Sequence, residues 1–194
     1  MAASLGNAAG AMSCAYTQRK KDKESGAFEV AKSSYDLLSL TAAKELRTAD
    51  ADADAYGALQ ATWKRDCGLS AAEKRVVEAT ALAVPVDLVD RCALNVETLR
   101  EFLPVCNPSI VSDAKVAIHL LAGAARAAYA TVLVNSPDDD VKRSCQAKLE
   151  FLRDAEADVL DLAPPRRDVP LRVAVAVAAA VAFALGRASA ASAK

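Results

Sequence analysis

The chain has 194 residues, of which 53% are hydrophobic and only 5% aromatic, and its 24 basic and 25 acidic side chains leave a formal charge of -1. This length is enough to bury the core of one domain, whereas a near-neutral chain lacks the basic surface that a nucleic-acid partner requires. The five cysteines are odd in number and form no C-x-x-C pair. We therefore predict free thiols in the reducing cytoplasm, with no disulfide and no zinc site.

The first long element is an amphipathic helix. From residue 28 to residue 63, apolar positions recur in steps of three and four without a proline, which is the spacing of one helix face. This pattern predicts a helix of about ten turns with a narrow apolar seam, in which Tyr35 and Trp63 are core residues. No segment shows the alternation of a strand, so the sequence predicts an all-α bundle of about five to six helices, with long antiparallel amphipathic helices.

Local signals predict where the helices begin and end. Gly68 suits the left-handed conformation that closes a helix, and Ser70 with Glu73 forms the pattern of a capping box for the next long helix. Ser112 is predicted to cap an alanine-rich helix. Ser136, which precedes a proline and three aspartates, is predicted to cap the helix after it.

The sequence predicts one helical domain over residues 1–163 and an alanine-rich tail helix over residues 164–194. Residues 173–186 carry no charge, but these fourteen residues fall short of the roughly 20 that span a bilayer. We expect this run to pack on the protein or on a partner rather than in a membrane. Nothing at the start of the chain has the basic and apolar regions of a secretory signal.

Several motifs spread over residues 3–160 resemble those of one enzyme family. They are Tyr16-Thr17-Gln18-Arg19-Lys20-Lys21, similar to L-T-x-G-K-K; Asp52 with Tyr56, similar to D-x-x-A-[FY]; Val84-Pro85-Val86; Cys106-Asn107; Ser112-Asp113; and a helix end, Thr131 to Asn135, similar to N-V-x-I-N. On these motifs the chain resembles the formiminotetrahydrofolate cyclodeaminase / methenyltetrahydrofolate cyclohydrolase family. It departs from the family pattern at Thr131, where the family has asparagine, and it has no counterpart of the glycine-rich turn that precedes the family's first helix.

The resemblance implies an enzyme of folate one-carbon metabolism. Such an enzyme closes formiminotetrahydrofolate to 5,10-methenyltetrahydrofolate with release of ammonia, or hydrolyses the methenyl form to formyltetrahydrofolate, with no cofactor beyond the tetrahydrofolate substrate and no metal. Both reactions place positive charge on a carbon between two nitrogens, so a site needs an anion and a proton carrier. The alternative is an inactive family member that binds folate or serves in assembly. Narrow helix seams also favour a homodimer.

Two carboxylates are the candidate catalytic groups. Asp113 lies in the first turn of a predicted helix, where the helix dipole favours the ionised form; it is either the anion of the site or simply part of a helix start. Asp52 lies beside the seam of the long helix and is either a proton carrier or a solvated acid.

Substrate contacts are predicted for five further residues. Asn107 could hold the pterin ring through its amide or could serve only as a turn residue, and Ser112 and Asn135 accompany it through the family motifs. Lys20 and Lys21 could attract a polyglutamate tail or could remain solvated.

Overall fold

The computed structural model describes residues 1–64 and 66–161, apart from the side chains of Lys21 and Asp161; the predicted tail helix lies outside the described residues. The described chain forms five α-helices and no strand, which confirms the all-α prediction. The helices are α1 (Ala2–Ala15), α2 (Ala27–Thr62), α3 (Ala71–Phe102), α4 (Val111–Val134) and α5 (Asp139–Asp161), with short 3₁₀ turns at Lys20–Asp22 and Leu103–Val105.

The helix α4 lies at the centre of the bundle. It packs against α1, α3 and α5, while α2 packs against α1 and α3. Small residues permit close approach: a Cβ on Gly10 of α1 would lie only 3.0 Å from Cδ2 of Leu99. Within the described chain, α4 is the one helix long and apolar enough to cross a membrane, a property that core helices share. Here its apolar face, including the fully buried Ile118 and Leu121, forms part of the protein core.

The predicted start of α3 is confirmed in detail, whereas α2 ends at Thr62, several residues before the predicted end at Gly68. Gly68 has a left-handed φ of 67°. The Ser70 amide N–H donates to Glu73 Oε2 at 2.8 Å, and the Glu73 N–H donates to Ser70 Oγ at 3.3 Å. Ser70 and Glu73 therefore form the reciprocal capping box that their spacing indicates.

The two other predicted serine caps are wrong. The helix α4 already begins at Val111, so Ser112 lies inside its first turn and is exposed. The preceding turn, in which the Ile110 N–H donates to the Asn107 carbonyl at 3.0 Å, brings the backbone into helical geometry earlier than a serine cap would. At α5, Asp138 replaces Ser136 as the cap, because its Oδ1 accepts the N–H of the third helical residue at 2.8 Å.

The second half of α2 lacks the burial that its seam predicts. Trp63 is 64% exposed and Tyr35 38% exposed, so the expectation that both are core residues is wrong. The helix α1 has only 14 residues and can cover only the first part of α2, which has 36. Residues 46–61 of α2 and 71–80 of α3 contain no fully buried residue. We call these two segments the α2–α3 hairpin.

The last helix is held beside α4 by side-chain contacts. Glu156 of α5 accepts hydrogen bonds from Arg126 and His119 of α4, the latter at 3.3 Å. Arg100 near the end of α3 donates to Asp158 at 2.7 Å. These contacts make α5 antiparallel to α4 and place the end of α5 near the start of α4.

All five cysteines carry free thiols, as predicted. The cytoplasmic location stays a prediction.

Candidate active site

A cleft of about 280 Å³ opens where the start of α1 meets α2, α3 and α4. Most of its wall consists of small or aliphatic side chains, which leave room for a flat, weakly polar ligand. Its polar side chains are Glu45, Thr48 and Asp52 from α2 and Thr131 from α4. The cleft therefore combines an apolar wall with a few convergent polar groups, as small-molecule sites do.

Three motifs that are far apart in the sequence converge on this cleft. Asp52 comes from the acidic motif of α2, Val84 and Pro85 from the V-P motif of α3, and Thr131 from the end of α4. The antiparallel packing of α2 on α3, with α4 alongside α3, brings these positions together. This convergence marks the cleft as the candidate active site.

A buried ion pair forms one wall of the cleft. The Glu45 side chain is only 2% exposed, and its Oε1 accepts a 2.6 Å hydrogen bond from Arg91 Nε. Arg91 Nη2 reaches Glu45 Oε2 at 3.3 Å and Thr48 Oγ1 at 3.2 Å. Behind this pair, burial raises the pKa of the Cys92 thiol to about 12, and the nearby Glu45 charge raises it further while Arg91 opposes the rise. The Glu45 carboxylate is thus neutralised by Arg91 and fixed in position.

The Asp52 carboxylate is the free anion of the cleft. It is exposed at the rim. Within the described part of the chain, no hydrogen bond or ion pair engages it. Asp52 is therefore available to a ligand, whereas Glu45, about two turns earlier on α2, already binds Arg91.

The sequence analysis missed Glu45 and Arg91. A signal was available in the spacing, because Glu45 stands seven residues after the fully buried Leu38 and therefore on nearly the same helix face. An acid on a core-facing position requires a partner. The identity of that partner depends on the packing of α3, which local periodicity does not encode.

The predicted residue Asn107 lies at the opposite end of the bundle. Its backbone N–H donates to Thr17 Oγ1 at 3.0 Å, and its Nδ2 donates to the Tyr16 carbonyl at 3.3 Å. Its Oδ1 accepts the Ser109 N–H at 3.3 Å. The Asn107 backbone N–H and Nδ2 thus fasten the turn before α4 to the end of α1, while Oδ1 closes the turn itself through Ser109.

Asp113 belongs to the same end as Asn107. It is half-buried and contacts Ser112 Oγ at 3.4 Å. Burial raises the pKa of the neighbouring Cys106 thiol to about 11; Thr17 and Arg19 act to lower that pKa, and Asp113 acts to raise it. Asp113 and Thr131 are 18 residues apart on one helix, a separation of about 27 Å. The two predicted catalytic carboxylates, Asp113 and Asp52, therefore do not meet within one chain.

The remaining predicted residues are divided between the two ends. Asn135 lies near the cleft end, where its Nδ2 donates to the Thr131 carbonyl at 3.0 Å. It also lines a separate hollow of about 470 Å³ beside Trp63 and Arg75. Lys20 is exposed in the 3₁₀ turn that follows α1, at the Asn107 end.

Comparison with known proteins decides the family. The family model described as formiminotransferase-cyclodeaminase matches residues 1–151, more than three quarters of the chain. The chain belongs to the formiminotransferase-cyclodeaminase family. The match includes every motif of the predicted resemblance, and it includes both the cleft and the Asn107 end.

A solved structure supports the fold. The chain is similar to the crystal structure of formiminotetrahydrofolate cyclodeaminase from Thermotoga maritima, with a TM-score of 0.52 and 18% sequence identity over 95% of this chain and 88% of that chain. At this identity the likeness shows the shared helical architecture alone. Among curated proteins, no significant match was found. The family thus points to folate metabolism, while the individual site residues stay predictions.

Proposed function

We propose that this family member acts on a tetrahydrofolate carrying a one-carbon unit, which it binds in the cleft. The substrate is either formiminotetrahydrofolate, cyclised to 5,10-methenyltetrahydrofolate with release of ammonia, or the methenyl form, hydrolysed to formyltetrahydrofolate. The observation that carries this proposal is the meeting of Asp52, Pro85 and Thr131 in one cleft. Membership of the formiminotransferase-cyclodeaminase family supports the choice of a folate substrate.

The chemistry of cyclisation needs an anion that also carries a proton. N10 attacks the protonated formimino carbon, a new C–N10 bond forms, and the proton from N10 must reach the departing amino group before the C–NH₂ bond breaks and ammonia leaves. A carboxylate at the rim can accept the first proton and donate the second. Asp52 has the required freedom, and its charge also stabilises the cationic carbon that develops.

The other walls of the cleft fit a supporting role. The Glu45 carboxylate, held by Arg91, contributes a fixed wall of the cleft and leaves Asp52 as the carboxylate that can exchange a proton with a ligand. The volume of about 280 Å³ lies just below that of typical small-molecule sites, which run from about 300 to 1,000 Å³. We therefore propose that the cleft holds the pterin ring and its one-carbon unit, with the rest of the folate extending outward.

Matched carboxylate variants test this location. In the full chain, Asp52→Asn should lower kcat/KM for conversion of either substrate by about 10²-fold or more, the usual loss when a general acid–base is removed. Asp113→Asn should stay within a fewfold of the unchanged protein. Conversion is followed by the absorbance of the methenyl form. Full activity in Asp52→Asn contradicts the proposal, and loss confined to Asp113→Asn moves the site to the Asn107 end.

The alternative function is folate binding or assembly without catalysis. It is favoured by Thr131, which lines the cleft at a position where the family pattern has asparagine. A hydroxyl offers one donor and an acceptor on a single atom, whereas an amide offers two donors and a separate acceptor. Binding of methenyltetrahydrofolate by equilibrium dialysis without turnover, combined with a gain of turnover in Thr131→Asn, would support this alternative over the enzyme.

We also propose that the active form is a homodimer paired through the α2–α3 hairpin. The hairpin exposes the large apolar side chains Leu46, Tyr56 and Val76, and Trp63 lies just beyond its α2 segment; each is more than half exposed. Exposed apolar surface of this kind is typical of protein interfaces. Light scattering should give twice the chain mass, and Trp63→Asp should shift the mass toward that of one chain. A single-chain mass for the unchanged protein at micromolar concentration contradicts the dimer.

A further inference from the structure

The outward face of α1 is apolar along its whole length. None of the 14 residues of α1 is charged. Leu5 is 62% exposed, Met12 44% and Tyr16 61%. A helix that covers a core normally turns charged or polar residues to solvent, so this face has the composition of a covered surface.

The neighbouring strip of α4 continues the apolar face of α1. A Cβ on Gly6 of α1 would lie 3.1 Å from Leu120, so the two helices are in close contact there. Val116, one turn before Leu120 on α4, is 49% exposed. On α4, Arg126 and His119 are turned away from this strip, since both bind Glu156 of α5, while the half-buried Asp113 lies one turn before Val116. We call this combined surface, Leu5, Met12, Tyr16, Val116 and Leu120, the α1–α4 face.

The chain itself contains a matching segment. Residues 173–186 are fourteen in number, carry no charge, and consist mostly of alanine and valine. They are as many as the residues of α1. They also lie beyond the family match, which covers residues 1–151.

The place where the described chain ends favours this segment over other partners. The contact of Glu156 with His119 sets the end of α5 beside the start of α4. Tyr16, at one end of the α1–α4 face, lies there too, since its carbonyl accepts from Asn107 at 3.3 Å. The intervening residues 162–172 number eleven and span at most about 40 Å when extended. A tethered segment also has an effective concentration that a free partner rarely reaches.

We propose that residues 173–186 cover the α1–α4 face of the same chain. The uncharged segment and the uncharged face bury each other, and the short tether from α5 delivers the segment to the Tyr16 end of the face. The bundle then hides the apolar side of α1 without a second molecule.

Hydrogen exchange of the full chain tests the proposal. Backbone amides in residues 173–186 should exchange at least about tenfold more slowly than unprotected amides. Met12→Asp places a charge on the face and should abolish that protection. The control Leu40→Asp changes an apolar residue of α2 that is 56% exposed and two positions from the buried Leu38, outside the face, and should leave the protection intact.

A reciprocal variant in the tail keeps the test independent of the stability of the bundle. Val177 lies beyond the five helices. Because Val177→Asp should release the segment from the α1–α4 face, it should speed the oxidation of the Met12 thioether severalfold. Unprotected amides in residues 173–186 of the unchanged chain overturn the proposal, as does protection that survives Met12→Asp. The proposal is also overturned if residues 173–186 are protected only at protein concentrations where the molecular mass has doubled. That result assigns the α1–α4 face to a second copy of the chain.

Discussion

The ion pair beside the cleft gives the sharpest stability prediction. Arg91→Met removes the partner of a Glu45 carboxylate that is only 2% exposed, while the methionine keeps most of the apolar stem of arginine. An unpaired buried charge costs about 3–5 kcal/mol. Because the Arg91 side chain is 16% exposed and water can enter as it leaves, we expect a loss of about 3 kcal/mol, near the lower limit of that range.

An exposed pair on the same chain supplies the control. Lys32 and Asp36 of α2 form a 3.1 Å ion pair in which each side chain is 54% exposed. Lys32→Met should therefore lower the free energy of unfolding by no more than about 1 kcal/mol. Urea unfolding followed by circular dichroism measures both variants. The fits should share one value for the dependence of the unfolding free energy on urea concentration.

A double variant distinguishes the loss of the ion pair from the cost of leaving a buried charge unpaired. Glu45→Leu combined with Arg91→Met leaves no buried charge, so it should recover most of the stability that Arg91→Met loses. The reasoning is refuted if Arg91→Met falls within about 1 kcal/mol of Lys32→Met, or if the double variant is no more stable than Arg91→Met.

Three further predictions concern packing, thiol reactivity and pH. Gly10→Ala should destabilise the bundle by about 1–3 kcal/mol because its Cβ meets side chains at 3.0 and 3.1 Å, whereas Gly57→Ala, which meets nothing within 4 Å, should stabilise it by about 0.4–1 kcal/mol in the same urea assay. A hydrogen bond from the Leu69 backbone lowers the pKa of the half-buried Cys67 thiol, so a thiol reagent at neutral pH should label Cys67 first, and mass spectrometry that finds another cysteine labelled first would contradict this. Burial tends to raise the pKa of Glu156, but hydrogen bonds from its cationic partners on α4 prevail and lower it; its stabilisation is therefore complete above the ordinary carboxyl pKa and is lost as pH falls through the lowered value. Between about pH 5 and pH 3, the free energy of unfolding of Glu156→Gln should therefore fall less than that of the unchanged chain. An equal fall in both proteins would contradict the contact of Glu156 with α4.

Some features of the fold were predictable because their causes are local. The capping box at Ser70 and the left-handed Gly68 depend on a few neighbouring residues. The apolar period of α2 predicted its presence and most of its length. The serine caps at Ser112 and Ser136 failed because competing local groups, a preceding turn and an adjacent aspartate, satisfied the first helix N–H groups instead.

The candidate site was predictable only in part. The motifs identified Asp52 and the V-P pair, yet nothing in their spacing showed that both would line one cleft with Thr131. The sequence also grouped Asp113 with Asp52, whereas the length of α4 separates Asp113 from the cleft. Glu45 and Arg91 escaped notice because their pairing joins residues 46 positions apart.

The residue order alone determined the helical class, the start of α3 at Ser70 and the family, because helix propensity, capping and motif spacing are properties of short segments. Tertiary packing decided which faces are covered. A short α1 leaves half of α2 exposed, so apolar residues such as Trp63 point to solvent despite their helical period. Packing also decided which charges meet, since only the contact of α2 with α3 brings Arg91 to Glu45 and shapes the cleft beside Asp52.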